Sequence, residues 1–129
     1  MENLFIEKTS STPCINFDMP ANRLAISGES FPENAAKFYA PVLDWLKEYI
    51  AAVDGQEVTV EFEIIYFNSS TSKILMMFFS LLDEAAAEGK NIIVNWRCDA
   101  RNETAIECGE EFKEDLENLP FNIVIYKGA

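Results

Sequence analysis

Four hydroxyl side chains stand in a row at Ser69-Ser70-Thr71-Ser72, directly after Asn68 and directly before an apolar run. Side chains of this type do one of two things at such a place. They accept hydrogen bonds from the free N–H groups of a helix's first turn and so cap it. Alternatively, a hydroxyl exposed at a strand-to-helix corner accepts a phosphoryl group. That phosphate would lie against unpaired N–H groups and the positive end of the helix dipole. It would bring about −1.5 to −2 charges to one small area. Ser69, Ser70, Thr71 and Ser72 are all candidate acceptors, and the run by itself chooses neither among them nor between capping and phosphorylation.

Most other chemistries are excluded by what the chain lacks. It has 129 residues and no His, so Ser-His-Asp and Cys-His nucleophiles and His metal ligands are ruled out. There is no G-x-x-x-x-G-K-[ST], G-x-G-x-x-G or G-x-S-x-G, and only 5 Gly, too few for a phosphate-cradling loop. Cys14, Cys98 and Cys108 show no C-x-x-C spacing, so neither a disulfide framework nor a thiolate zinc site is expected. With 10 Lys+Arg against 22 Asp+Glu the net charge is −12, which would repel a nucleic-acid backbone. The apolar stretch over 74–82 is far short of the roughly 20 residues that span a bilayer, so no membrane insertion is expected. The first residues lack a basic segment followed by a long apolar one, and the expectation is a cytoplasmic protein. The expected cofactor and metal complement is none.

The elements that must position the hydroxyls are legible in outline. A length of 129 residues and 49% hydrophobic content suit one domain over 1–129 with a single core. A short edge strand is predicted over 4–7. Segments 16–18 and 23–27 flank Met19-Pro20-Ala21-Asn22, which predicts a hairpin. Ser30 and Glu33 fit a capping box with Pro32 in the first turn. Phe38, Val42, Leu46, Tyr49 and Val53 then recur at helical spacing. Pro41 predicts a kink or break near Ala40 in that helix. Over 57–67 apolar and polar residues alternate: Val58, Val60, Phe62, Ile64 and Tyr66 point one way, Glu57, Thr59, Glu61 and Glu63 the other. A helix follows over 70–88, stopped by Gly89, then a strand over 92–96. Asn102 caps a third helix reaching about Asn118, with Ala105, Cys108 or Gly109, Phe112 and Leu116 inward. A last strand covers 121–126.

The later alternation of strand and helix places those strands parallel, joined by right-handed crossovers, whereas the opening hairpin is antiparallel. The fold class is therefore α/β with a mixed sheet. The acidic face of the strand over 57–67 predicts helices mainly on the other side.

Two helices invite further readings. In the one after the hydroxyls, Ile74, Phe78, Leu81, Leu82 and Ala85 form the predicted buried face. Leu75 and Phe79 fall on one flank, Met77 on the other, and Met76 points nearly outward. This apolar arc of roughly 200° exceeds the ~100° stripe of an ordinary surface helix. Either it is wedged between sheet and neighbours, or it leaves a docking face beside the hydroxyls, for which Met and Phe are suited. The third helix carries Glu103, Glu107, Glu110, Glu111, Glu114, Asp115 and Glu117, expected as a solvated face.

Taken in order, Ser11-Thr12-Pro13, Gly28-Glu29-Ser30-Phe31-Pro32-Glu33-Asn34, Ile65-Tyr66-Phe67-Asn68-Ser69-Ser70, Leu81-Leu82-Asp83-Glu84-Ala85 and Arg101-Asn102-Glu103 resemble the SiaC family of bacterial regulatory phosphoproteins. The likeness runs from about residue 9 to 122. It also extends to STAS domains, the fold of anti-sigma-factor antagonists, so the sheet is expected to be STAS-like. The resemblance implies a non-enzymatic partner-switching protein. A Ser/Thr protein kinase would phosphorylate it, a PP2C-type phosphatase would reverse this, and the unphosphorylated form would bind and activate a diguanylate cyclase. Carried over, the acceptor is Ser69, where the family pattern has Thr, and Ser70 and Thr71 are the alternatives. Alignment with the STAS antagonists would shift it to Ser70. Asn68, Ser70, Ser72, Leu75, Met76 and Phe79 are the expected partner-binding face. The rival implication of a STAS-like fold is a module that binds a small ligand, a nucleotide or lipid.

Overall fold

A computed structural model describes residues 1–128. Six strands form one sheet in sequential order: β1 (Leu4–Ile6), β2 (Cys14–Asp18), β3 (Arg23–Ser30), β4 (Val58–Phe67), β5 (Ile92–Asp99) and β6 (Phe121–Tyr126). β1, β2 and β3 pair antiparallel, and β3 to β6 run parallel. The three parallel crossovers carry α1 (Ala35–Ala52), α2 (Ser69–Ala87) and α3 (Glu103–Glu114). Each crossover steps the same way across the sheet. With one common hand, all three helices fall on one face.

The burial pattern agrees with that placement. Val58, Val60, Phe62 and Ile64 of β4 and Ile92, Val94, Trp96 and Cys98 of β5 are buried beneath the helices. On the opposite face Thr59, Glu61 and Glu63 lie beside Ile93, Asn95 and Arg97, all half-exposed. There the Arg97 guanidinium pairs with Glu63 at 3.2 Å and lies 5.7 Å from the Tyr126 ring centre.

Three local expectations change. Ser30 does not cap α1. It ends β3, fully buried, and Asn34 caps the helix by accepting from the Lys37 N–H at 3.0 Å. Pro41 does not break α1, which runs through it unbroken. The ring sits on the solvent side, and the Lys37 carbonyl it leaves without an N–H partner is at an exposed position where water can serve. Tyr66 does not continue the inward row of β4. The register shifts between Gly28 and Glu29, so that Ile64 pairs with Gly28 but Tyr66 with Glu29. One extra residue in β4 reverses which side chains face the core: Phe67 turns inward and Tyr66 outward. Gly28 takes the left-handed φ of +115° at this shift.

α3 is shorter than predicted and ends at Glu114. Of its expected inward set, Ala105, Gly109 and Phe112 are buried, whereas Cys108 and Leu116 are half-buried. Gly109 lies so close to the indole of Trp96 that a methyl group there would stand 2.5 Å from Trp96 Cδ1. Among the described residues no helix is long and apolar enough to cross a membrane.

Candidate regulatory corner

The corner between β4 and α2 is built by Asn68. Its side-chain oxygen accepts the Thr71 N–H at 3.0 Å and its carbonyl accepts the Ser72 N–H at 3.0 Å, which starts the helix. Its own N–H donates to the Ser30 carbonyl at 3.2 Å, tying the corner to the end of β3.

The four hydroxyls then divide by helical phase. Ser69 and Ser70 are exposed, Ser72 is half-buried, and Thr71 has no exposed surface. Beneath the corner, Thr71 Oγ1 donates to the Ser30 carbonyl at 3.1 Å. Its single proton is thereby used, so the 2.9 Å contact with Ser30 Oγ must be donated by Ser30. Ser30 then has no proton left for Tyr39, and the Tyr39 phenol must donate across 2.7 Å. The hydroxyls form one directed chain, Tyr39 to Ser30 to Thr71 to the Ser30 carbonyl. Burial pushes the Tyr39 hydroxyl up to about 12. The chain shuts Thr71 away from any modifying enzyme, which removes it from the candidate acceptors.

The apolar side chains around the corner are also redistributed. Leu75 and Phe79, expected on the docking face, are 1% exposed. Phe79 is enclosed by Phe62, Trp96, Phe112 and Phe121, with ring centres 5.0–6.3 Å away. α2 is wedged against the sheet and α3, which accounts for its wide apolar arc. Met76 and Met77 remain outside, 49% and 54% exposed. With Ser69, Ser70, Lys73 and Ser80 they make one exposed stripe along α2. Beyond the helix start, Phe31, Ile65 and Tyr66 are exposed at the carboxyl ends of β3 and β4, and the Phe31 and Tyr66 rings meet edge-on at 5.7 Å. The Asn102 amide donates to the Ile65 carbonyl at 2.9 Å and steadies this rim from the cap of α3. Sequence reasoning missed all three rim residues; for Tyr66 the reason is that the register shift that turns it outward has no signature in the alternation of β4.

Among the described residues no cluster of three or more His, Cys, Asp or Glu side chains could hold a metal ion. The three cysteines are free thiols. Burial pushes the Cys98 and Cys108 thiols up, and Glu111 and Glu107 add to the effect on Cys108. The acidic residues of α3 are exposed, as expected of a solvated face.

Comparison with known proteins bears on the same corner. Residues 6–126 match the family described as SiaC family regulatory phosphoprotein. The chain belongs to the SiaC family. A relative described only as an uncharacterized protein of Pseudomonas aeruginosa strain UCBPP-PA14 is 39% identical over 124 residues, 95% of this chain and 96% of the relative. The solved structure of SiaC of Pseudomonas aeruginosa superposes with a TM-score of 0.89 at 34% identity, covering 98% of this chain and all of that one. A second match, with a TM-score of 0.89 and 36% identity, is to the crystal structure of the Pseudomonas aeruginosa diguanylate cyclase SiaD in complex with its activator SiaC. It covers 95% of this chain and 99% of the matched chain. The mixed sheet with three helices is therefore the SiaC fold, and this chain is a regulatory protein by family.

Proposed function

We propose that this protein is a non-enzymatic switch, phosphorylated on Ser69 at the β4–α2 corner, whose unphosphorylated form binds and activates a diguanylate cyclase. A Ser/Thr protein kinase adds the phosphate and a PP2C-type phosphatase removes it, in the cytoplasm. The observation that carries this reading is the split of the hydroxyl run. Ser69 is exposed on the first turn of a helix whose outer stripe carries Met76 and Met77, next to an apolar rim, while Thr71 on the inner side is sealed. Ser70 is equally exposed and is the competing acceptor. The crystallised complex of SiaD with SiaC, a relative of this chain, supports a cyclase as partner.

The physics of the switch is desolvation. A phosphate on the stripe that also carries Met76 and Met77, at the corner that ends in the Phe31 and Tyr66 rim, would have to shed its water when a partner covers that surface. That costs several kcal/mol unless the partner supplies a cation. Each 1.4 kcal/mol is tenfold in affinity, so one phosphate suffices to dissolve a micromolar complex.

Mass spectrometry after incubation with the cognate kinase and ATP should place one phosphate on Ser69 and none on the Ser69→Ala variant. Label that persists undiminished in that variant rules Ser69 out. Calorimetry should show Ser69→Asp binding the cyclase more weakly than wild type, and unchanged affinity would count against the desolvation mechanism.

A further inference from the structure

The sheet ends in two free edges, and they are not alike. β1 is three residues long and stands between Glu2 and Glu7. Short strands and nearby charges are how proteins keep an edge from pairing with another chain. β6 has six residues, Phe-Asn-Ile-Val-Ile-Tyr, with no charge, no Pro and no Gly, in a chain that is 25% charged. Its register with β5 is unbroken, so no bulge turns this edge away. The Val94 N–H donates to the Pro120 carbonyl at 2.9 Å, and the Ala100 N–H to the Tyr126 carbonyl at 2.7 Å. The even-numbered residues of β6 thus turn their backbone groups to β5. Those of Phe121, Ile123 and Ile125 point off the sheet. Among the described residues these outward N–H and C=O groups have no partner.

We propose that β6 pairs antiparallel with β6 of a second copy of this chain, about a two-fold axis that passes through Ile123 normal to the sheet. The strand is self-complementary in that register. Ile123 meets Ile123 of the copy, and Phe121 meets Ile125. These residues lie on the helix side of the sheet, opposite Val94, Trp96 and Cys98. Aromatic and β-branched side chains are the favourable cross-strand pairs. Ile125 is 53% exposed in the single chain, and the pairing sets it beside the copy's Phe121. The flanking charges fit as well. The nearest ones along the chain are Glu117 before β6 and Lys127 after it, both exposed. Antiparallel order brings Lys127 of each copy to the end where Glu117 of the other lies. A second copy matches all these positions, whereas β6 carries no charge of its own with which to select a foreign strand. The β4–α2 corner lies two strands in from this edge, so the pairing leaves Ser69 uncovered and does not depend on the cyclase reading.

Analytical ultracentrifugation of the full chain over a concentration series tests this. The wild type should move from the mass of one chain, 14.6 kDa, toward twice that as concentration rises. Ile125→Lys puts a charge on the pairing row and should weaken the dimer at least about tenfold. Ile123→Pro removes the N–H at the two-fold axis. That N–H faces away from β5, so circular dichroism should show the fold intact while the dimer is lost. Lys127→Glu should weaken the dimer about threefold, and adding Glu117→Lys should restore it. Phe5→Lys, on the exposed side of β1, adds the same charge at the other edge and should dimerise as the wild type does. If Ile123→Pro unfolds the chain, Ile125→Lys carries the test, since that side chain is already exposed. A wild type that keeps the mass of one chain at every concentration overturns the proposal. So does a dimer that Ile125→Lys leaves within twofold of wild type. An equal loss in Phe5→Lys also overturns it, because the contact would then not be specific to β6.

Discussion

Ser70 and Thr71 are adjacent and carry the same reactive group, yet they belong to different regions of the molecule. Ser69 and Ser70 face water on the outer side of α2's first turn. Thr71 and Ser30 sit under it with no exposed surface, every hydroxyl proton committed. About 100° of helical phase per residue is all that separates the two sets. The inner pair fixes where the helix starts relative to β3, and the outer pair is left free at a rigid place. What a hydroxyl can do here is decided by its angle on the helix, not by its chemistry.

The same division runs down α2 between Phe79 and Met76, and it gives the largest effect. Phe79→Ala should lower the stability of the fold by about 3–5 kcal/mol, because the ring is enclosed by aromatic side chains from β4, β5, β6 and α3. Met76→Ala should change stability by less than about 1 kcal/mol while weakening cyclase binding. Chemical denaturation of the two variants checks this. Equal stabilities would mean that α2 has no fixed inner and outer side.

Sequence patterns reach the fold further than the site. The hairpin, the parallel strands, Asn102 as the cap of α3 and the helices' common face follow from local periodicity and crossover handedness. The corner itself, from Asn68 through the hydroxyl run, is also visible as a motif. Which of its side chains are outside is not. Periodicity centres the buried face of α2 near Ile74, Phe78 and Leu81, yet Leu81 is only half-buried and Leu75 and Phe79 are core. The difference is a rotation of the face toward α3, set by Trp96, Phe112 and Phe121, which arrive from elsewhere in the chain. Ser30 shows the same limit. Its spacing to Glu33 reads as a local cap, whereas its partners are Tyr39 and Thr71, the latter 41 residues away.

Thr71→Val sharpens the contrast between inner and outer hydroxyls. It keeps the shape of the side chain but leaves the Ser30 carbonyl without the Thr71 donor and the Ser30 hydroxyl without an acceptor. Loss of about 1–3 kcal/mol is expected in thermal or chemical unfolding. Ser69→Ala and Ser70→Ala should stay within about 0.5 kcal/mol of wild type. Thr71→Ser, which retains the hydroxyl, should recover most of the loss. If Ser70→Ala costs as much as Thr71→Val, the exposed serine is part of the scaffold and a poor place for a reversible charge.

Among the buried positions the smallest effect at neutral pH belongs to the far end of the hydroxyl chain. Tyr39→Phe removes one donor to Ser30 and should cost about 1 kcal/mol, since Ser30 keeps its bond to Thr71. Its more telling signature is alkaline. The phenol is raised from 10.0 to about 12 in the fold, so folding favours its protonated form. The corresponding stability is fully present below pH 10, where the phenol is protonated in both states. It is lost as pH rises from 10 to about 12, because the unfolded chain ionises first. Wild type should therefore lose stability across that window more steeply than Tyr39→Phe, measured by denaturant midpoints at stepped pH. The exposed serines have no part in this titration, so Ser69→Ala should follow the wild-type curve. Matching curves for Tyr39→Phe and wild type would mean that the phenol reaches water, and the sealed inner half of the corner would then be open to the same enzymes as the outer half.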